Sequence, residues 1–314
     1  MQALLRTWAM MFIALLALAS QPLHAADKPS FMVDADWLAA EKAKNPKLVV
    51  LEVRYHPHRY YTVGHIPGAI QVQRFKDLGD NGGRSIMLFP SKATFQATLR
   101  RWGINNDSTI VLYDDSRTPL AARLYYLLAL YGYDMSRVKI LEGGTLEWTG
   151  FNELTQAPTP APRPGKVVLK NADPRLFVEW QDVYENVLSR RDPNVVLVDA
   201  RPADMYTGKV IRHSVQGGHI PGALNVVSLD ATDGQSQKWL DMDRLADFYK
   251  AVPKDKTVYV YCHDGFRMSL GWLQMKALGY KDVRVVNGGW GVWDRAFTLP
   301  VVQGDQPYDE EYAL

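Results

Sequence analysis

Cysteine is almost absent from this chain: of 314 residues, Cys262 alone carries a thiol. One cysteine cannot close an internal disulfide, and it supplies too few ligands for a cysteine-rich metal site. Charge of one sign is scarce too. Lys and Arg number 36 against 34 Asp and Glu, a formal net charge of +2, and no basic tract stands out. Neither a nucleic-acid partner nor a basic membrane-binding surface is implied. A membrane span is not expected either: the apolar run Ala9–Ala19 falls short of the roughly 20 residues that a spanning helix needs, an uncleaved N-terminal anchor being the alternative.

That run has another reading. Arg6 precedes it, and Leu23-His24-Ala25-Ala26 closes it with small residues suited to cleavage. Residues 1–25 are therefore expected to be a signal peptide, with the mature chain periplasmic and not stably membrane-associated. No cysteine stands at the end of the run, so lipoprotein attachment is excluded. An exported chain meets an oxidising compartment, where structural cysteines usually pair. A single retained thiol there points to use.

Its surroundings point the same way. Cys262 ends the apolar run Thr257-Val258-Tyr259-Val260-Tyr261 and precedes His263-Asp264-Gly265-Phe266-Arg267, with a helix expected over Met268–Leu278. Backbone N–H groups at such a turn and helix start favour an anion, so the thiol is expected to have a lowered pKa.

The chain is written twice. Gly64-His65-Ile66-Pro67-Gly68-Ala69 returns as Gly218-His219-Ile220-Pro221-Gly222-Ala223, and Val49–Arg54 returns as Val196–Arg201. Thr109–Asp114 returns as Thr257–Cys262, and Leu141-Glu142-Gly143-Gly144 as Val286-Asn287-Gly288-Gly289. The offsets at positions 64, 109 and 143 are 154, 148 and 145, drifting as small loop changes would make them. Short β-branched runs alternate with helical stretches such as Leu120–Tyr131, which indicates parallel α/β units. Four prolines within 155–165 mark a semi-rigid linker between a domain at 28–154 and another at 166–305. At the offset of 148, Asp114 stands opposite Cys262, so the first copy has no thiol.

Taken together, these motifs resemble the tandem two-domain form of the rhodanese (sulfurtransferase) family, over about residues 30–300. The resemblance implies an α/β fold of two rhodanese-like domains, each a mainly parallel sheet flanked by helices, with the N-terminal copy catalytically silent. It implies that Cys262 is the nucleophile and that His263, Asp264, Gly265, Phe266 and Arg267 form its loop, amides turned toward the sulfur. Arg201 matches a family position associated with substrate binding; the alternative is a salt bridge to Asp199 or to a neighbouring loop. Arg267 either helps close the loop, holds the donor anion, or merely occupies the first helical turn.

The expected reaction moves sulfane sulfur from an anionic donor such as thiosulfate to cyanide or a thiol through a Cys262 persulfide, without metal or cofactor. A protein acceptor and a sulfur-relay role with little turnover on small donors are alternatives. Phosphatase chemistry is another, but only four residues separate Cys262 from Arg267, against five in the related phosphatases. Asp264 departs from the loops typical of thiosulfate- and mercaptopyruvate-specific members, and its charge opposes an anionic donor. His65 and His219 occur in both copies and are read as turn-fixing rather than catalytic. Tyr55-His56-Pro57-His58 reads as a polar loop, and Trp272, Trp290 and Trp293 as core.

Overall fold

A computed structural model describes residues 28–80 and 87–308. The expected signal segment lies outside them. Among the described residues, no helix is long and apolar enough to cross a membrane.

The β-branched runs of the first half form β1 (Met32–Val33), β2 (Leu48–Val53), β3 (Ile70–Val72), β4 (Thr109–Asp114) and β5 (Val138–Leu141). They pair in parallel in the order β1-β5-β4-β2-β3. The second half repeats this with β6 (Phe177–Val178), β7 (Val195–Asp199), β8 (Ala223–Asn225), β9 (Thr257–Tyr261) and β10 (Asp282–Val286), in the order β6-β10-β9-β7-β8. Helices cover the sheets, as continuous apolar strands require. The α-helices of five residues or more are α1 (Ala35–Lys44), α2 (Lys92–Arg101), α3 (Pro119–Leu130), α4 (Gly144–Thr149), α5 (Met242–Phe248), α6 (Phe266–Ala277) and α7 (Gly289–Trp293).

The repeated motifs build the same supports twice. The His65 ring stacks on Tyr60 and the His219 ring on Tyr206, each with centroids 3.6 Å apart. Their Nδ1 atoms lie 3.1 Å from the Tyr60 carbonyl and 2.9 Å from the Tyr206 carbonyl, fixing a turn as the sequence led us to expect. The Ile66 and Ile220 amides donate to the hydroxyls of Tyr113 and Tyr261. Trp290 and Trp293 are fully buried, and Trp272 nearly so.

The proline-rich segment does not hang free. Thr155 exchanges both backbone bonds with His65 at 2.9 Å, and the Gly165 amide donates to the Arg100 carbonyl. Val302 makes the same exchange with His219, so each domain is closed by its own tail strand.

The halves meet through equivalent elements. Eleven of the twelve residues of α3 are buried, as a helix apolar all round must be, because its outer side packs on α6. There Tyr126 meets Trp272 edge-on at 5.1 Å. Phe89, ahead of α2, donates its amide to Asn287, ahead of α7. Reciprocally, Lys238, ahead of α5, pairs with Glu147 of α4 at 2.7 Å.

Candidate active site

β9 delivers Cys262 to the carboxyl edge of its sheet, where parallel α/β folds place functional groups. The helix after it starts earlier than expected, at Phe266. Gly265 caps it with φ +105°, a conformation that L side chains rarely adopt, and so turns the loop sharply enough for its amides to face the sulfur. The Gly265 N–H lies 3.2 Å from Cys262 Sγ. Ser269 Oγ donates to the Gly265 carbonyl and Ser228 Oγ to the Arg267 carbonyl, so the loop is tied to its own helix and to a neighbouring turn.

Cys262 itself is fully buried. Burial, and next the Asp264 carboxylate, push its thiol pKa up; the Met268 and Gly265 amides and the Arg267 charge act in the opposite direction. The expectation of a lowered pKa is thus corrected. Desolvation of the charged form outweighs the loop's donors.

The first copy shows the same loop around an anion of its own. Asp114 is buried, and its carboxylate accepts the amides of Ser116, Thr118, Leu120 and Ala121 at 2.9–3.0 Å. This loop is one residue longer: its left-handed cap is Thr118, four residues after Asp114, where Gly265 lies three after Cys262.

A cleft of about 1260 Å³ lies between the domains. His263, Asp264, Phe266 and Arg267 line it from one side, and Tyr55, Arg74, Phe75 and Arg117 from the other. Among the described residues, Asp264 is the one carboxylate in a wall that also carries Arg74, Arg117, Arg212, Arg267 and Arg295. Such a surface draws anions. Arg74 lies over the Tyr55 and Phe75 rings at 4.0 and 4.3 Å. His56, read as part of a polar loop, also faces this cleft. Arg74, Arg117 and Arg212 were not expected: nothing local marks them, and only the meeting of the domains gathers them.

Arg201 is corrected as well. It is 1 % exposed, donates to both oxygens of Asp199 and to the Gly218 carbonyl, and does not line the cleft. Arg54 repeats the arrangement with Glu52 and the Gly64 carbonyl. A pair present in both copies holds the Gly-His-Ile-Pro-Gly turn to the strand; it leaves no guanidinium free for a donor. His263 faces Ser214 at 3.3 Å through Nδ1, and burial lowers its pKa.

The Rhodanese-like domain model matches residues 34–150 and again 183–296. The chain therefore belongs to the rhodanese-like family, in its two-domain form. Several of its relatives within that family are named as thiosulfate or 3-mercaptopyruvate sulfurtransferases. It is 33% identical over 301 residues to the putative thiosulfate sulfurtransferase SseA of Mycobacterium bovis, covering 92% of this chain and 96% of that one. It is 29% identical over 288 residues to the sulfur carrier protein TtuD of Thermus thermophilus, covering 88% and 98%. The crystal structure of SseA from Escherichia coli, of the 3-mercaptopyruvate sulfotransferases, superposes with a TM-score of 0.71 at 26% identity, covering 83% of this chain and 99% of that one.

Proposed function

We propose that this sulfurtransferase moves sulfane sulfur from an anionic donor, thiosulfate being the simplest, to cyanide or a thiol through a persulfide on Cys262. The observation that carries the reading is the sulfur of Cys262 under the Gly265 amide, in a loop whose outer residues line an arginine-rich cleft. The Cys262 thiolate attacks the outer sulfur of thiosulfate, the S–S bond breaks, and sulfite leaves with the electron pair. The negative charge then rests on the outer sulfur of the persulfide, where loop amides stabilise it without reorganising. Cyanide attacks that sulfur, thiocyanate departs, and the thiolate returns. The cycle is ping-pong covalent catalysis. Arg267 lines the cleft beside the loop and is suited to holding the donor anion.

Wild-type protein exposed to thiosulfate gains about 32 Da on the Cys262 peptide and forms thiocyanate from cyanide. Cys262→Ser does neither while keeping its fold. Thiocyanate formation by the serine variant would sink the reading. We also propose that the reaction takes place in the periplasm, which cell fractionation checks.

One observation favours a second reading, a sulfur relay: the relative from Thermus thermophilus is a sulfur carrier protein. On that reading Cys262 loads once and passes its sulfur to a protein, with slow turnover on cyanide and thiols.

A further inference from the structure

Arg123 of α3 belongs to the copy without a thiol, yet its guanidinium lies against the Cys262 loop. It is fully buried. Nε and Nη2 donate to the Leu78 and Met87 carbonyls at 3.1–3.3 Å, which fixes the group from one side. Nη1 has no partner among the described residues. A Cβ placed on Gly265 would stand 3.0 Å from that same Nη1 and 3.1 Å from Cζ. Gly265 is also the residue whose amide donates to Cys262 Sγ. The loop therefore lies directly on a buried cation, at the residue whose amide reaches the reacting sulfur.

A buried guanidinium with an idle N–H is costly unless a negative charge comes near it. We infer that Arg123 is a positioning residue of the reaction: from the silent domain it supports the Gly265 turn and favours the anionic forms of the Cys262 sulfur. The inference rests on the sulfur-transfer reading above. Burial pushes the Arg123 pKa down only to about 10, so the group is a cation at neutral pH, and the Asp264 charge, joined by that of Cys262 when it is a thiolate, acts to keep it protonated. Of the charges facing Cys262, Asp264 opposes the thiolate while Arg267 supports it. Tyr126 and Tyr131, on α3 and just beyond it, have their pKa values raised, chiefly by burial, and are neutral there. In the helix frame the α6 residue equivalent to Arg123, five beyond the cap, is Leu270. The cation is thus found only in the half that faces the thiol.

The test uses the full chain, whose single cysteine makes alkylation unambiguous. The rate of iodoacetamide modification of Cys262 is followed against pH by mass spectrometry in the wild type, Arg123→Gln and Arg123→Lys. A cation nearby favours the thiolate, so its loss raises the midpoint. We expect the Gln variant to titrate roughly one pH unit higher and the Lys variant to stay within a few tenths of the wild type. A purely structural role would alter access to the sulfur, and hence the plateau rate, without moving the midpoint. A folded Gln variant with the wild-type midpoint overturns the inference, as does a Lys variant shifted as far as Gln. Arg123→Met, which keeps the buried stem, takes the place of Gln if circular dichroism shows that Gln is unfolded. No sulfur donor enters this measurement, so it stands or falls separately from thiocyanate formation.

Discussion

Gly289 is pressed against the carbonyl of Cys262: a Cβ there would stand 2.2 Å from the oxygen. That carbonyl also accepts the Trp290 amide at 2.8 Å, and the His263 carbonyl accepts the Gly291 amide. The first turn of α7 therefore clamps the backbone that carries the nucleophile. Gly144 holds the same place behind Asp114, with the Asp114 oxygen 2.0 Å from its hypothetical Cβ. Alanine at either glycine forces backbone apart at a left-handed residue, a loss of about 3 kcal/mol. Urea unfolding should show similar losses for Gly144→Ala and Gly289→Ala. Thiocyanate formation by the folded protein should fall at least about tenfold only for Gly289→Ala, where the displaced backbone carries the sulfur.

On the proposed reaction Asp264 would act in two ways of the same sign. It raises the thiol pKa, and from the cleft wall its charge would oppose the anionic donor proposed above. Asp264→Asn should lower the midpoint of Cys262 alkylation and speed modification at neutral pH, where the thiolate fraction then grows. Asp264→Lys should go further and lower the KM for thiosulfate by roughly tenfold at low ionic strength, with salt blunting the gain. An unchanged KM for Asp264→Lys would mean that the donor does not approach this side chain.

Arg201→Ala should behave as a folding mutation rather than a binding one. It strands the buried Asp199 carboxylate, a loss on the order of 3–5 kcal/mol. Chemical denaturation should show it, while the KM for thiosulfate measured on the folded fraction stays within about twofold of the wild type. A large rise in KM with stability intact would restore the substrate-binding role.

Asp114→Ala leaves four backbone N–H groups without their acceptor. The expected loss is about 3–5 kcal/mol of stability, read by denaturation. Turnover per folded molecule should fall far less than in Cys262→Ser.

Much of this was legible because it is local. The run Thr257–Tyr261, the thiol at its end and the glycine three residues later specify strand, sulfur and turn without reference to the rest of the chain. The duplicated Gly-His-Ile-Pro-Gly motif fixed the domain count in the same way. Arg123 was not legible. It sits in an apolar helix without a motif, and its role depends on which helix the other half lays against it. Arg201 was half legible: its two-residue spacing from Asp199 permitted the pair, but only burial excludes solvent and donor alike. The direction of the thiol pKa failed for the same reason. Amides at a turn can be read from the sequence; the depth to which they are buried cannot.

The joining of α3 to α6, with Phe89–Asn287 on one side and Lys238–Glu147 on the other, approximates the contact that a twofold homodimer makes. The fused chain is thus arranged like a tethered dimer of two unequal copies. In a true homodimer every substitution appears at both centres at once. The tether removes that coupling, so one half is free to give up its thiol for a carboxylate at 114 and to present a guanidinium at 123 where its twin keeps a leucine. Asymmetry of this kind is open to a duplicated gene and closed to a symmetric assembly.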